Sequence, residues 1–286
     1  MNKINHQYFA SFIALGIVLI IAQTALAQDL KPEEIVEKHI TAIGGRTKLD
    51  TIKNRFVAGA SEFESKLPSR KTGGKAVIAS DKNNLMFLAS FASKEYPKEK
   101  IGYFTDKVSL PWVTSGTRSP LGAFLADHEK VLSDGLFGGT ISSTWAILTL
   151  DSKKPLLKSG GSKKLDGRKA YAIDYFPKGS NSSEFTIRLF FDSETFNHVR
   201  TEYRHTISAG QDKFGQLGRQ AGVKIGLTEI FGDFKTVDGF TFPYDYRAEY
   251  RTESNSGTYE WVWGVKVTQY LFDQNLAADF FNFEEK

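Results

Sequence analysis

A chain of 286 residues, 41% of them hydrophobic, can bury a core without cross-links, and this one has no cysteine. That excludes disulfides, a thiol nucleophile and thiolate metal sites. The 37 Lys and Arg against 33 Asp and Glu leave a formal charge of +4 spread along the chain, which is not the footprint of a nucleic-acid binder.

The first 27 residues read as an export signal. Lys3 supplies the positive start, Phe12 to Ala22 (FIALGIVLIIA) is an unbroken apolar core, and Ala25-Leu26-Ala27 has the small-x-small pattern of a cleavage site. The apolar run falls short of the roughly 20 residues of a membrane span. The alternative is an uncleaved N-terminal anchor. Cleavage leaves a soluble periplasmic protein starting at Gln28. Residues 28–286 show neither a fixed-period repeat nor a low-complexity linker, so a single domain is expected.

One helix opens that domain. Pro32 and Glu33-Glu34 start it, with Asp29 as cap; Ile35, Val36, Ile40 and Ile43 form its apolar positions, and Gly44-Gly45 ends it. A short turn follows over Thr47 to Ile52. From Arg55 the period changes to two, predicting strands over 55–65, 74–80, 85–91 and 101–108. Ser119-Pro120 then caps a second helix, on which Leu121, Phe124, Leu125, His128, Val131 and Leu132 share one stripe. Gly138-Gly139 ends it, and a further helical piece over Ser142 to Leu150 carries Trp145. The remainder alternates again. Strands are expected over 154–165 and 169–176 around Asp166-Gly167, then over 184–191 with Phe185, Ile187 and Leu189 on one face. Strand 198–207 is expected to place Val199, Thr201, Tyr203 and His205 on one face. Strands 224–234, 240–251 and 258–272 follow, the last two carrying Phe242, Tyr244, Tyr246, Trp261 and Trp263.

The expectation is a mostly β fold with a few helices (α+β), built on a wide antiparallel sheet with one apolar face. Aromatic side chains bury about 150–250 Å² each, so that face carries a large hydrophobic load. Either it closes on a filled aromatic core, or it leaves a cavity for an apolar ligand with the helices as a lid.

Chemistry-bearing patterns are sparse. His39, His128, His198 and His205 are scattered, and their spacing sets His198 and His205 on opposite faces of one strand. There is no H-x-x-H, H-E-x-x-H, G-x-S-x-G or phosphate loop. Gly135, Gly138 and Gly139 read as a helix stop. Asp127, Glu129 and Asp134 read as solvated helix residues. Asn181-Ser182-Ser183 matches the short glycosylation pattern. No cofactor, metal or catalytic residue is expected.

Three segments resemble a known family. EEIVEKHITAIGGRTKLDTIKNRFVAGASEF, starting at Glu33, resembles the opening helix, glycine pair and first strand of the periplasmic lipoprotein-carrier superfamily (LolA/LolB-like and outer-membrane lipoprotein-sorting proteins). LFFDSETFNHVRTEYR (Leu189 to Arg204) resembles its D-x-x-T turn between strands. TEIFGDFKTVDGFTFPYDY (Thr228 to Tyr246) is similar to its D-[FY]-x-x-[VI]-[DN]-G-x-x-[FL]-P signature. The resemblance implies a strongly curved antiparallel half-barrel with an N-terminal helix and a helical lid or plug. It also implies a lipid or lipoprotein acyl chain as ligand, without chemistry, and an envelope membrane protein as a further partner. The ligand would lie against Leu121, Phe124, Leu125, Val131, Leu132, Trp145, Phe185, Ile187, Leu189, Phe242, Tyr244, Tyr246, Trp261 and Trp263. The alternative is an envelope docking domain with a filled core. The chain is longer than the small carriers, by the helical segment Ser119 to Leu150 and the long strand after it.

Overall fold

A computed structural model of the chain describes residues 30–180, 184–207, 222–277 and 279–282. The export signal, the Asp29 cap and the Asn181 pattern lie outside the described residues.

Twelve strands form one antiparallel sheet: β1 Asn54–Lys66, β2 Ser69–Asp81, β3 Leu85–Ser90, β4 Lys98–Phe104, β5 Lys107–Ser109, β6 Leu156–Leu165, β7 Arg168–Phe176, β8 Phe185–Asp192, β9 His198–Ile207, β10 Val223–Val237, β11 Phe240–Ser254 and β12 Gly257–Phe272. The strand order is β5-β4-β3-β2-β1-β12-β11-β10-β9-β8-β7-β6. Every neighbour is a sequence neighbour except β1 and β12, whose pairing joins the two ends of the domain. The sheet does not close; it curves as a half-barrel with β5 and β6 as its edges. The connection from β5 to β6 must therefore travel from one edge to the other, and it does so across the concave face. This crossing is the helical segment that interrupts the strand pattern.

Turn chemistry sets most of the register. Asp166-Gly167 and Asp238-Gly239 both take positive φ, as a two-residue hairpin requires. Thr105-Asp106 makes the same kind of turn (φ 49° and 61°) without glycine or proline. Residues 101–108, expected as one strand, are consequently two strands folded back on each other. β2 also begins earlier than expected, at Ser69.

Helix α1, Pro32–Ala42, buries Ile35, Val36, His39 and Ile40, and the backbone N–H of the preceding Lys31 donates to the Glu34 carboxylate at 2.8 Å. A single turn, α2 Arg46–Leu49, follows it. In the crossing segment, α3 Pro120–Asp127 is capped by the Ser119 hydroxyl, which accepts from Gly122 N at 2.8 Å. The expected continuous stripe breaks at His128, whose backbone leaves helical geometry (φ −130°). A short turn, α4 Lys130–Ser133, then keeps Val131 and Leu132 buried. The helical piece expected over Ser142 to Leu150 is present but starts later: after a turn at Ser143-Thr144, Ala146–Thr149 form a 3-10 helix that runs into α5 Leu150–Lys153.

Residues 134–147 are buried without exception. Laying irregular backbone across an apolar face leaves N–H and C=O groups that need partners, because burying them unpaired is costly. Polar side chains of the sheet supply those partners. Glu229 accepts from Gly138 N at 2.7 Å, Arg55 Nη1 donates to the carbonyls of Thr140 (2.6 Å) and Ile141 (3.1 Å), and Ser80 Oγ accepts from Ser143 N at 2.8 Å. Asp134, expected in solvent, is buried beside Tyr175, whose hydroxyl donates to it at 3.3 Å; Asp127 and Glu129 are exposed. The glycines do more than stop a helix. A Cβ on Gly135 would stand 1.8 Å from the Thr144 carbonyl oxygen, and one on Gly139 would stand 2.7 Å from His198 Nδ1.

Candidate ligand-binding site

Directly paired residues of antiparallel strands point to the same face, so the register defines rows of side chains across the concave surface. One row runs Leu189, Thr201, Glu229, Ala248, Trp263, Phe63. The next runs Ile187, Tyr203, Leu227, Tyr250, Trp261, Ser65, and the last Phe185, His205, Ile225, Thr252, Tyr259. Burial falls along this series. In the first row only Phe63 is less than fully buried; in the second only Trp261 is. No member of the last row is fully buried, and Tyr259 is 38% exposed. One pair further out, Ile207 opposite Val223 is 45% exposed. The inner face thus runs past the crossing segment and ends as an open, apolar mouth.

Helix α3 covers one side of that mouth. Phe124 packs against Phe185, Tyr203 and Tyr250. The His128 ring stacks on Phe185 at 3.9 Å between centroids and meets His205 edge-on at 4.9 Å. Burial and the neighbouring His205 hold the His128 pKa down at about 4. A cleft of about 730 Å³ opens here, between residues 126–130, Phe185, His205 and the loop 177–180. On the other side Tyr259 stacks on Trp261, which touches Tyr250.

Behind the mouth the crossing segment rests on polar anchors. Glu229 is fully buried and accepts hydrogen bonds from Tyr203 (2.7 Å), Tyr246 (2.8 Å) and Gly138 N; burial pushes its carboxyl up to about 7 against the pull of those donors. Glu99, on β4 with its carboxyl beside the Ser119 cap of α3, is pushed up to about 7 by burial too, opposed by hydrogen bonds from Ser119 and Tyr96. Trp263 Nε1 donates to Tyr96 Oη at 2.7 Å, and that hydroxyl donates to Glu99. His39 donates from Nδ1 to the Phe196 carbonyl (2.8 Å) and accepts from Trp145 Nε1 (3.0 Å); burial holds its pKa down at about 4. His198 stacks on Trp145 at 4.5 Å, and burial keeps it neutral as well.

The residues nominated from the sequence do not form one site. Phe185 and Trp261 lie at the mouth, and Phe124 is buried behind it against Phe185, Tyr203 and Tyr250. Leu121, Leu125, Val131, Leu132, Trp145, Ile187, Leu189, Tyr246 and Trp263 pack in the interior. Phe242 lies toward the opposite end, under the Arg55 guanidinium at 3.9 Å. Tyr244 is half-buried against Tyr270, with the Lys235 ammonium 4.6 Å from its ring centre. His198 and His205 do not face opposite ways. A register shift between Phe190 and Phe191 places one extra residue, Val199, in β9. Both histidines therefore face inward, while Val199 packs with Leu165, Ala170, Ala172 and Phe190. Sequence reading missed Glu229 and Arg55 as anchors. Glu229 was legible, being a carboxylate in phase with Leu227 and Phe231. The pairing of His128 with His205 was not, because it needs both the β9 shift and the break at His128.

Among the described residues no group of three or more His, Cys, Asp or Glu side chains is placed to hold a metal ion, and no helix is long and apolar enough to cross a membrane.

No family model matches the sequence, and no curated protein matches it. Solved structures do. The chain is similar to a putative outer membrane lipoprotein-sorting protein domain from Vibrio parahaemolyticus, at 12% identity and a TM-score of 0.44, over 87% of this chain and 95% of that one. It is also similar to a LolA superfamily protein from Nitrosomonas europaea, at 13% identity and a TM-score of 0.45, over 88% of this chain and 98% of that one. At these identities and scores the likeness carries no argument about ligand or partner, which rest on the geometry of this chain.

Proposed function

We propose that this protein is an exported, LolA-like carrier or sensor that takes an acyl chain of a lipid or lipoprotein at the mouth of its half-barrel, without chemistry. The observation that carries this reading is the fall of burial along the inner face, from a filled middle to the open row at Tyr259. An acyl chain laid there gains about 0.8 kcal/mol per methylene removed from water, and Trp261, Tyr259 and Phe185 offer it an aromatic wall. The leader Phe12 to Ala22 and the site at Ala25-Leu26-Ala27 support periplasmic export, where an envelope membrane protein would supply or receive the cargo.

The filled middle also suits a docking domain whose mouth seats the apolar side of a protein partner. Native mass spectrometry of protein purified from the periplasm separates the two. The carrier reading expects a lipid adduct, absent when Ile207→Asp and Tyr259→Asp are combined. A clean apo mass, together with no binding of a fluorescent fatty acid, rejects the carrier and leaves the docking domain.

A further inference from the structure

The end of the sheet opposite the mouth carries a separate feature. Arg55 pairs with Ser80 and Phe272 near the start of β1, whereas Ser65, in the row next to the mouth, lies ten residues further along the strand. At about 3.3 Å per residue the two ends are roughly 30 Å apart. A small pocket of about 50 Å³ opens at the Arg55 end, lined by Arg46, Arg55, Lys82, Asp50, Ser143 and Thr149 among others. That exceeds the roughly 30 Å³ share of one water molecule.

Arg55 is buried, and among the described residues no carboxylate pairs with it. Its Nη1 serves the carbonyls of the crossing segment, but its Nε has no hydrogen-bond partner, and neither has the buried Ser143 Oγ. A buried cation without a counter-charge is costly, and Arg55 and Ser143 both belong to the lining of this pocket. Burial pulls the Arg55 pKa down to about 10, which leaves it charged at neutral pH. At the rim, Arg46 pairs with Glu37 at 3.2 Å and Lys82 with Asp50 at 3.3 Å. Both pairs are exposed and so contribute little, which frees their cations to turn toward a stronger anion. Three cations against the single carboxylate of Asp50 leave the lining at a net charge of +2.

The adjoining cleft, about 590 Å³, shares Lys82 and Thr149 and is lined by Asn83, Asn84, Ser133 and Ser152. Its hydroxyl and amide groups suit a polyhydroxylated neighbour rather than an acyl chain. We infer that the Arg55 pocket binds a phosphate group, free or carried on a small hydroxylated molecule, with Arg55 and Ser143 at its base and Arg46 and Lys82 at its rim. A dianionic phosphate matches the charge of the lining, whereas a single carboxylate does not. The guanidinium supplies the planar donors that phosphate oxygens accept.

Calorimetric titration with inorganic phosphate, glycerol phosphate and acetate tests the site. Both phosphates bind the parent protein and raise its Tm, and acetate does not. Arg46→Ala combined with Lys82→Ala weakens phosphate by about tenfold or more while leaving the ligand-free Tm unchanged, since both side chains are exposed. Ser143→Ala weakens it by about threefold. These variants avoid Arg55, whose loss would also release the crossing segment. Ile207→Asp with Tyr259→Asp leaves phosphate binding intact, so the site stands or falls separately from the acyl-chain mouth. Flotation with phosphatidic acid vesicles assigns the source. Retention of the parent but not of the rim variant points to a lipid headgroup, and retention of neither points to a free phosphate compound. The inference is overturned if neither phosphate binds the parent at about 10 mM, or if the rim variant binds as well as the parent.

Discussion

The middle of the concave face and its mouth are built from the same alternating strands, yet they differ in what lies over them. In the middle, an irregular stretch of the chain is pressed against the sheet, and several of the backbone groups it buries meet a sheet side chain: Glu229 for Gly138 N, Arg55 for the carbonyls of Thr140 and Ile141, Ser80 for Ser143 N. At the mouth the same face carries Ile225, Tyr259 and Trp261, and among the described residues α3 lies along one side. Apolar alternation alone therefore does not distinguish a core from a site. The distinction lies in whether polar anchors accompany it, because covering backbone needs partners and an acyl chain does not.

Trp145→Ala breaks the middle most severely. The side chain is fully buried between His39 and His198, so its loss costs about 3–5 kcal/mol by urea denaturation. A cost under about 1 kcal/mol would mean that the crossing segment is loosely held.

The second test uses pH. A carboxyl raised from 4.5 to about 7 on folding contributes stability that is fully present below pH 4.5 and lost as pH rises through 7; this holds for Glu229 and Glu99. A histidine lowered from 6.5 to about 4 contributes stability that is present above pH 6.5 and lost as pH falls through 4; this holds for His39. Between pH 4.5 and 6.5 the two slopes oppose each other. Glu229→Gln removes one side of the balance, and its stability is expected to fall with acid more steeply than the parent's. The difference amounts to about 3 kcal/mol over the window, read from urea midpoints at a series of pH values. Parallel profiles would show that Glu229 is not the buried acid described.

The smallest stability effect belongs to the mouth. Ile207→Asp or Tyr259→Asp changes stability by no more than about 0.5 kcal/mol, because neither side chain is covered, while fatty-acid binding weakens by about tenfold. A large loss of stability would show that the mouth is covered in solution.

Most of the sheet was legible from period-two runs and from Asp-Gly turns, since both are local. What escaped was non-local or carried by atypical turns. Thr105-Asp106 turns the chain without glycine or proline, so β4 and β5 were read as one strand. The extra residue at Val199 inverted the facing of His198. The helical character of the piece with Trp145, Ile147 and Leu148 was legible, but the path of residues 134–145 depends on the side chains beneath it, which the segment itself does not encode. Of the mouth, the nominated Phe185 and Trp261 were readable as apolar positions. Their separation from buried partners such as Trp263 and Leu189 required the register across β8 to β12.

The most direct test of the account is tryptophan quenching by fatty acids brominated along the chain. Trp261 stands at the mouth and Trp145 within the crossing segment, so versions retaining one of the two, with the remaining tryptophans changed to phenylalanine, report each place separately. The account predicts that brominated acyl chains quench Trp261 and leave Trp145 unaffected. Quenching of Trp145 would put the chain in the middle with the crossing segment displaced, and an absence of quenching at Trp261 would contradict binding at the mouth.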